Sequence, residues 1–278
     1  MAVRLDLSDL AAEQWGLVTA AQARSLGVTP QALARFARQG ILERLVHGVY
    51  RAAGAPPSPL DDLRAAWLTL DPARCARDRR REARPAVVSF RSAAAVHGLG
   101  DLAADAMEFT VSGRKQTRRP DVRIHRGELD RGDWTVVDGL PVTTVLRTIR
   151  DLASARTDGG HLAGAVRDAL TRQLVEDDQV AEALRPYAHR YGAALGDGDA
   201  LVSRLLNEAG VPDVLGRVAA RVRSGAIDPV SLDEQIAAAI ARQLQAPAFQ
   251  RLVQQLEEAA RLSSPADDSA AAADQAHR

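Results

Sequence analysis

The sequence predicts an α+β fold with two domains and a helical extension. Three observations support this prediction. Residues 16–51 combine helix ends, a glycine turn and a two-stranded pattern, residues 86–153 mix short strand-like runs with short helices, and residues 156–262 show helical patterns alone. The chain has 278 residues, 46% of them hydrophobic, which suffices for two domains with a sizeable core.

Two short helices are predicted in the first domain from the residues at their ends. Thr19 can cap a helix that ends at Gly27, because glycine accepts the positive φ of a helix exit. Thr29 and Pro30 then begin a second helix with a capping hydroxyl and a proline at its first position, and Gly40 ends it. A short glycine-containing turn between two helices is typical of a helix-turn-helix.

A β-hairpin is predicted directly after the second helix, over residues 41–53. Its residues are mostly strand formers, and His47-Gly48 supplies a turn. Helix, turn, helix and hairpin in this order are the elements of a winged helix-turn-helix, which places its second helix in the major groove of DNA. We therefore predict that residues 1–55 form a DNA-binding domain.

The second helix carries the residues expected to contact bases. Its apolar residues recur at i, i+3 and i+4 from Leu33, which places them on the core side. Gln31, Arg35 and Arg38 fall on the opposite side, where glutamine can pair with adenine and arginine with guanine. For an isolated helix, an ordinary solvated face would be the simpler interpretation. The turn before this helix and the hairpin after it favour DNA contact.

The helix start and the predicted wing supply the remaining DNA-binding candidates. These are Thr29, Arg44, His47 and Arg51, which we expect to contact phosphate groups or the minor groove. His47 is equally compatible with a surface histidine that has no role.

An arginine-rich stretch between prolines follows a predicted helix at residues 60–70. Residues 71–85 are compatible with a solvated loop or with a further phosphate contact through Arg79, Arg80 and Arg81. The sequence leaves both alternatives open.

A small mixed α/β domain is predicted over residues 56–155. Strands are expected near residues 86–90, 107–111, 122–126 and 134–137, with short helices between and after them. The segment 112–120, which we call the basic loop, carries four cations. It is compatible with a second DNA or partner contact and with an exposed hairpin tip. The four cations are Arg114, Lys115, Arg118 and Arg119.

Helical patterns continue over residues 156–262, and residues 263–278 have no periodicity and are predicted to be disordered. An apolar stripe that includes Phe249, Leu252 and Leu256 has three interpretations. It could pack on the protein itself, mediate dimerisation or face another protein.

The charge distribution favours a nucleic-acid partner for the first part of the chain. The net charge is 0, but residues 1–120 carry 18 basic and 12 acidic residues, whereas residues 151–278 carry 13 and 19. The chain has no apolar run long enough to cross a membrane and no apolar signal core at its start, so we expect a cytoplasmic protein.

The sequence offers no motif for catalysis. Cys75 is the only cysteine, which excludes an internal disulfide and a cysteine-based zinc cluster. The chain lacks a P-loop, a nucleophile elbow and a zinc-protease motif. His97 and His125 lack a cysteine or a carboxylate pair at ligand spacing, which favours structural roles for both. We expect no enzyme activity, no cofactor and no metal.

Five segments together resemble the AbiEi-like antitoxins of type IV abortive-infection toxin–antitoxin systems. The resemblance covers about residues 10–155, with the segments in the order of the family. They are GVYR at 48–51, SFRSAAAVHGL at 89–99, EFTVSGRKQTRRP at 108–120, VRIHR at 122–126 and VVDGLPVTTVLRTIRDLA at 136–153.

The resemblance implies an autorepressor that binds inverted repeats in its own promoter, a mode compatible with a homodimer on DNA. It also implies an antitoxin that opposes a nucleotidyltransferase-like toxin, directly or indirectly. The alternative is a winged-helix regulator without a toxin, whose C-terminal helices dimerise or bind a protein. Residues 74–84 look like an insertion, and residues 154–278 lie outside the resemblance.

Overall fold

The computed structural model describes residues 2–210 as an α+β fold with two small sheets, which confirms the α+β part of the predicted fold class. The expectations for the rest of the helical extension, for the apolar stripe around Phe249 and for the disordered tail lie outside the described residues.

Three helices and a three-stranded antiparallel sheet make up the first part of the fold. The strand order in the sheet is β1-β3-β2. The elements are α1 (Ala2–Ala12), β1 (Leu17–Thr19), α2 (Ala20–Ser25), α3 (Pro30–Arg38), β2 (Leu42–Val46) and β3 (Val49–Ala52).

The predicted helix ends and hairpin turn are present in this part of the fold. The Thr19 side chain accepts a hydrogen bond from the Gln22 backbone N–H, and the Gln22 side chain accepts one from the Thr19 N–H, which forms a capping box. Thr29 caps α3, whose first residue is a proline. Gly27 and Gly48 have φ of +81° and +78°, a region that L-residues rarely adopt.

A small apolar core holds α3 with its polar side outward. Leu33 of α3 and Val28 of the preceding turn are each 3% exposed, and they pack with Leu7, Val18 and Leu42. Phe36 packs against the edge of this core. The elements α1 and β1, which the sequence did not predict, supply two of these contacts.

A mixed five-stranded sheet with helices forms the second part, with strand order β6-β5-β4-β8-β7. Strand β4 is antiparallel to β5 and parallel to β8, β5 is parallel to β6, and β7 is antiparallel to β8. The elements are α4 (Asp61–Leu70), α5 (Ala76–Arg80), β4 (Val87–Val88), α6 (Phe90–His97), β5 (Met107–Val111), β6 (Val122–Arg126), β7 (Trp134–Val137), β8 (Leu140–Thr143) and α7 (Val145–Ser154).

A helical layer follows α7 and packs against it, as the sequence predicts for the residues up to 210. Its α-helices are α8 (Gly159–Thr171), α9 (Asp177–Leu184) and α10 (Gly198–Glu208), and a 3₁₀ helix covers Arg185–Tyr191. The shared core includes Leu99, Ile149, Leu162, Leu184 and Leu205, all at most 1% exposed.

Trp15 joins the two sheets. Its ring meets the Trp67 ring edge to face at 6.1 Å, and its Nε1–H donates to the Asp138 carbonyl at 2.8 Å. Gly139 has φ of +81°, and a Cβ there would lie 2.7 Å from Trp15 Nε1. The turn between β7 and β8 therefore packs directly against Trp15, and this contact holds the first sheet against the second.

Replacing Trp15 tests this joint. We expect Trp15→Ala to lower the free energy of unfolding by about 2–3 kcal/mol, less than for a fully buried tryptophan, because Trp15 is half-buried. Trp15→Phe keeps an aromatic ring beside Trp67 but removes the hydrogen bond, so it should cost about 1 kcal/mol. Urea unfolding measures both values. Equal stability of all three proteins would show that Trp15 does not join the sheets.

Candidate nucleic-acid interface

The polar side of α3 lies open to solvent. Gln31, Arg35 and Arg38 are all exposed, whereas Leu33 on the opposite side is buried. Within residues 2–210, neither arginine forms an ion pair, and Arg35 lies 5.8 Å from the centre of the Phe36 ring. These three side chains are therefore available to an external partner without breaking a strong internal contact.

The turn between β2 and β3 presents a second cationic group. Arg44 Nη2 lies 2.8 Å from His47 Nδ1, and both residues are exposed. A guanidinium group only donates hydrogen bonds, so Nδ1 of His47 accepts, and the proton of the neutral ring is on Nε2. The turn therefore offers an arginine and an imidazole N–H donor.

Arg51 is directed into the fold, contrary to the expectation that it contacts DNA. Its guanidinium forms ion pairs with Glu43 at 2.5 Å and with Asp61 at 2.9 Å, and the Asp61 side chain is 9% exposed. The hydrogen bond to Glu43 is the main factor that raises the pKa of Arg51, and the bond to Asp61 also raises it. Arg51 thus ties the hairpin to α4, and we exclude it from the interface.

The strap, as we call residues 71–84, contains α5 and buries one of its arginines. Arg79 lies 3.6 Å from the centre of the Trp67 ring and donates to the Trp67 carbonyl at 2.7 Å. Burial lowers its pKa to about 10. Arg79 therefore caps the C-terminal end of α4, and the alternative that it contacts phosphate is wrong. Arg80 donates to the Gly139 carbonyl at 3.2 Å, whereas Arg81 is exposed.

Three of the four cations of the basic loop project into solvent. Arg114, Lys115 and Arg118 are exposed. Arg119 is half-buried and holds the Asp121 carboxylate through two hydrogen bonds of 3.0 and 2.5 Å. This contact lowers the pKa of Asp121, and the Arg119–Asp121 pair carries no net charge.

Two buried glutamines, which the sequence interpretation missed, fasten the start of α2. Gln14 Nε2 donates to Gln22 Oε1 at 2.7 Å, and Gln22 Nε2 donates to the Arg74 carbonyl at 2.9 Å. The Ala76 N–H donates to Gln14 Oε1 at 3.2 Å. The signal that could have revealed part of this network is the spacing T-x-x-Q at Thr19–Gln22, which marks a capping box.

The polar groups of the second sheet pair with one another. Glu108 is 4% exposed and lies 3.2 Å from Arg123 and 3.5 Å from His125, and the His125 ring stacks on Phe90 at 3.8 Å. His97 Nε2 lies 2.7 Å from the Thr143 carbonyl, and burial lowers the pKa of His97. Across residues 2–210, no group of three or more histidine, cysteine or acidic side chains could hold a metal ion.

No helix in the described part of the chain is both long and apolar enough to cross a membrane.

Residues 6–53, which run from α1 through β3, match the family model described as "Transcriptional regulator, AbiEi antitoxin". This match confirms the resemblance to the AbiEi antitoxins for residues 6–53. None of the curated proteins compared with the chain matches it. The chain also shows a likeness to the crystal structure of the RV2827C protein from Mycobacterium tuberculosis, with 19% identity, coverage of 76% of this chain and 78% of that one, and a TM-score of 0.45.

Two arginine substitutions separate the structural from the exposed role. We expect Arg51→Gln to lower the midpoint of thermal unfolding by several degrees, because the buried Asp61 carboxylate loses the nearer of its two cationic partners and keeps only Arg64 at 3.6 Å. Arg38→Gln should leave the midpoint unchanged, since Arg38 is exposed and has no ion pair in residues 2–210. Circular dichroism melting curves measure both, and the reverse order would contradict these assignments.

Proposed function

We propose that this protein is a sequence-specific DNA-binding regulator, and that residues 1–55 act as a winged helix-turn-helix. In this proposal, α2 and α3 are the helix pair and the turn between β2 and β3 is the wing. The observation that carries it is the exposure of Gln31, Arg35 and Arg38 on one side of α3 while Leu33 on the other side is buried.

The spacing of these side chains suits the major groove. Residues 31 and 38 are separated by about 10 Å along an α-helix, which is close to the rise of three base pairs. Glutamine can bind adenine through two hydrogen bonds, and arginine can bind guanine in the same way. We therefore assign base contacts to Gln31, Arg35 and Arg38.

Contacts to the DNA backbone complete the proposed interface. Thr29 lies at the start of α3, where backbone N–H groups attract phosphate. Arg44 and the Nε2–H of His47 can each reach a phosphate or the edge of the minor groove from the wing. These contacts set the position of α3 on the duplex and carry no sequence information.

The family description supports a more specific role. We propose that the protein represses its own promoter at inverted repeats, with two copies on one site, and that it opposes a nucleotidyltransferase-like toxin directly or indirectly. Co-expression with the adjacent gene tests the second part. Rescue of growth by this protein supports the antitoxin role, and an adjacent gene that is harmless alone favours a regulator without a toxin.

We also propose that the protein is not an enzyme. Among the described histidines of the second sheet and its helices, His97 contacts a backbone carbonyl and His125 stacks on a phenylalanine beside Glu108. Neither arrangement places a nucleophile next to a general base. Thermal stabilisation by a metal ion or a nucleotide would contradict this proposal.

Alanine substitutions on α3 test the base contacts. We expect Gln31→Ala and Arg35→Ala each to cost about 1–3 kcal/mol on a preferred site selected from a random duplex pool, and to relax preference at one base pair. Mobility-shift titration at a stated salt concentration measures the decrease in affinity. Arg156→Ala, which removes an exposed arginine after α7, is the control. Unchanged affinity and preference in both α3 variants would remove α3 as the recognition helix.

A substitution in the wing tests the backbone contacts. Arg44→Ala should weaken binding equally for preferred and mismatched duplexes, because phosphate contacts do not depend on sequence. The slope of log K against log salt should become shallower by roughly 0.9, since the variant neutralises one phosphate fewer. A change in base preference with no change in slope would show that Arg44 contacts bases.

A further inference from the structure

The proposed helix-turn-helix leaves unexplained a set of cations that lies outside it. The strap contains six basic and three acidic residues, and the segment 112–121 contains four basic and one acidic residue. These two segments are far apart in the sequence. The fold brings them together beside the start of α2.

The strap is hydrogen bonded to the start of α2 and to the segment before it. The Thr19 hydroxyl donates to the Pro72 carbonyl, and Gln22 Nε2 donates to the Arg74 carbonyl at 2.9 Å. The Ala76 N–H donates to the Gln14 side chain at 3.2 Å. The first half of the strap is therefore held against the N-terminal end of α2 by buried side chains.

The basic loop begins beside the other end of the strap. The strap leads into β4, and β4 pairs with β5 so that Val87 faces Thr110. The basic loop leaves β5 directly after this pair, and Arg84 and Ser112 line the same small cavity. Lys115 lies close enough to the strap for the charged side chains of the strap to affect the pKa of the lysine. Although the Lys115 side chain is exposed, the protein around it displaces part of its hydration, which is the main factor that lowers the pKa of Lys115, and Asp71 acts in the opposite direction.

Five of these ten basic residues form contacts inside the fold. Ion pairs join Arg74 to Glu82, Arg84 to Glu128 and Arg119 to Asp121. Arg79 and Arg80 are directed towards Trp67 and Gly139, as described above. The remaining five are exposed and have no ion pair within residues 2–210, and they are Arg77, Arg81, Arg114, Lys115 and Arg118. The acidic residues left to oppose them are Asp71 and the exposed Asp78.

We propose that these five cations form a second phosphate-binding surface, which contacts the backbone of the duplex that α3 reads. The inference rests on the proposed function. In a helix-turn-helix complex the first helix crosses the DNA backbone, so a segment fixed to the start of α2 lies beside phosphate groups. Exposed arginine and lysine side chains on loops suit this sequence-independent contact.

The chemistry of this surface separates its role from that of α3. Phosphate contacts release counterions, so each one makes binding more dependent on salt, and none of them discriminates between bases. The surface should therefore lengthen the protected stretch of DNA on one side and steepen the salt dependence. The sequence preference of the protein should depend on α3 alone.

A triple substitution tests the surface without knowledge of the preferred site. The variant carries Arg77→Gln, Arg114→Gln and Lys115→Gln, and the matched control carries Arg156→Gln, Arg185→Gln and Arg190→Gln on the helical layer. The probe is a random-sequence duplex of about three helical turns, titrated over a series of salt concentrations. We expect the salt slope of the triple variant to be shallower by roughly 0.9 for each phosphate that is no longer neutralised, and that of the control to be unchanged.

The outcomes distinguish this inference from the proposed function. A triple variant whose salt slope equals that of the wild type would overturn the second surface, and altered base preference in the Gln31 or Arg35 variants would still support α3. Altered base preference in the triple variant with an unchanged slope would also overturn it. A wild-type protein that binds no duplex would overturn both. If the triple variant melts below the control, Arg77→Gln and Lys115→Gln are titrated singly, each with an expected change of about 0.9.

Discussion

The buried amide pair of Gln14 and Gln22 is the contact on which the arrangement of this protein depends. Both side chains are 1% exposed, and they bridge the residues after α1, the start of α2 and the strap. Each amide has its hydrogen bonds satisfied inside the fold, and removing one partner would leave the other buried and unpaired, at a cost of about 1–3 kcal/mol. The pair therefore fixes the orientation of α2. Val28 and Leu33 pack in the same apolar core as α2, so the position of α3 depends on that orientation.

This constraint means that the second sheet determines where the proposed recognition helix lies. Trp15 and the glutamine pair both reach across to the second sheet and its strap, one through Asp138 and the other through Arg74 and Ala76. A rigid joint of this kind sets the distance between α3 and the basic loop. Two surfaces held at a fixed distance can contact one duplex together, which is the physical basis of the proposed second phosphate-binding surface.

Much of the first part of the fold could be predicted because its signals are local. Capping residues, a proline at the start of a helix and glycines with positive φ act within a few residues, and the ends of α2 and α3 follow from them. Strand β1 has three residues and depends on its pairing with β3, a contact that no short pattern reveals. Strand β4 has only two residues and depends on its neighbours in the same way.

The candidate site was predictable in kind but not residue by residue. Arg35, Arg51 and Arg79 belong to one residue type, yet the first is exposed, the second is ion paired with a buried carboxylate and the third is stacked on Trp67. Helical spacing correctly placed Arg35 because exposure on a helix face follows from its period. The positions of Arg51 and Arg79 follow from α4, which lies elsewhere in the sequence, so tertiary packing decided them.

Site-specific photocrosslinking tests the central claim most directly, namely that the polar side of α3 enters a DNA groove. A photoreactive residue replaces Ala34, an exposed position on α3 beside Arg35, and the same residue replaces the exposed Ala155 after α7 as the control. We expect irradiation with a selected duplex to link position 34 to bases and to leave position 155 unlinked. Equal yields at the two positions, or no link to bases from position 34, would contradict the account.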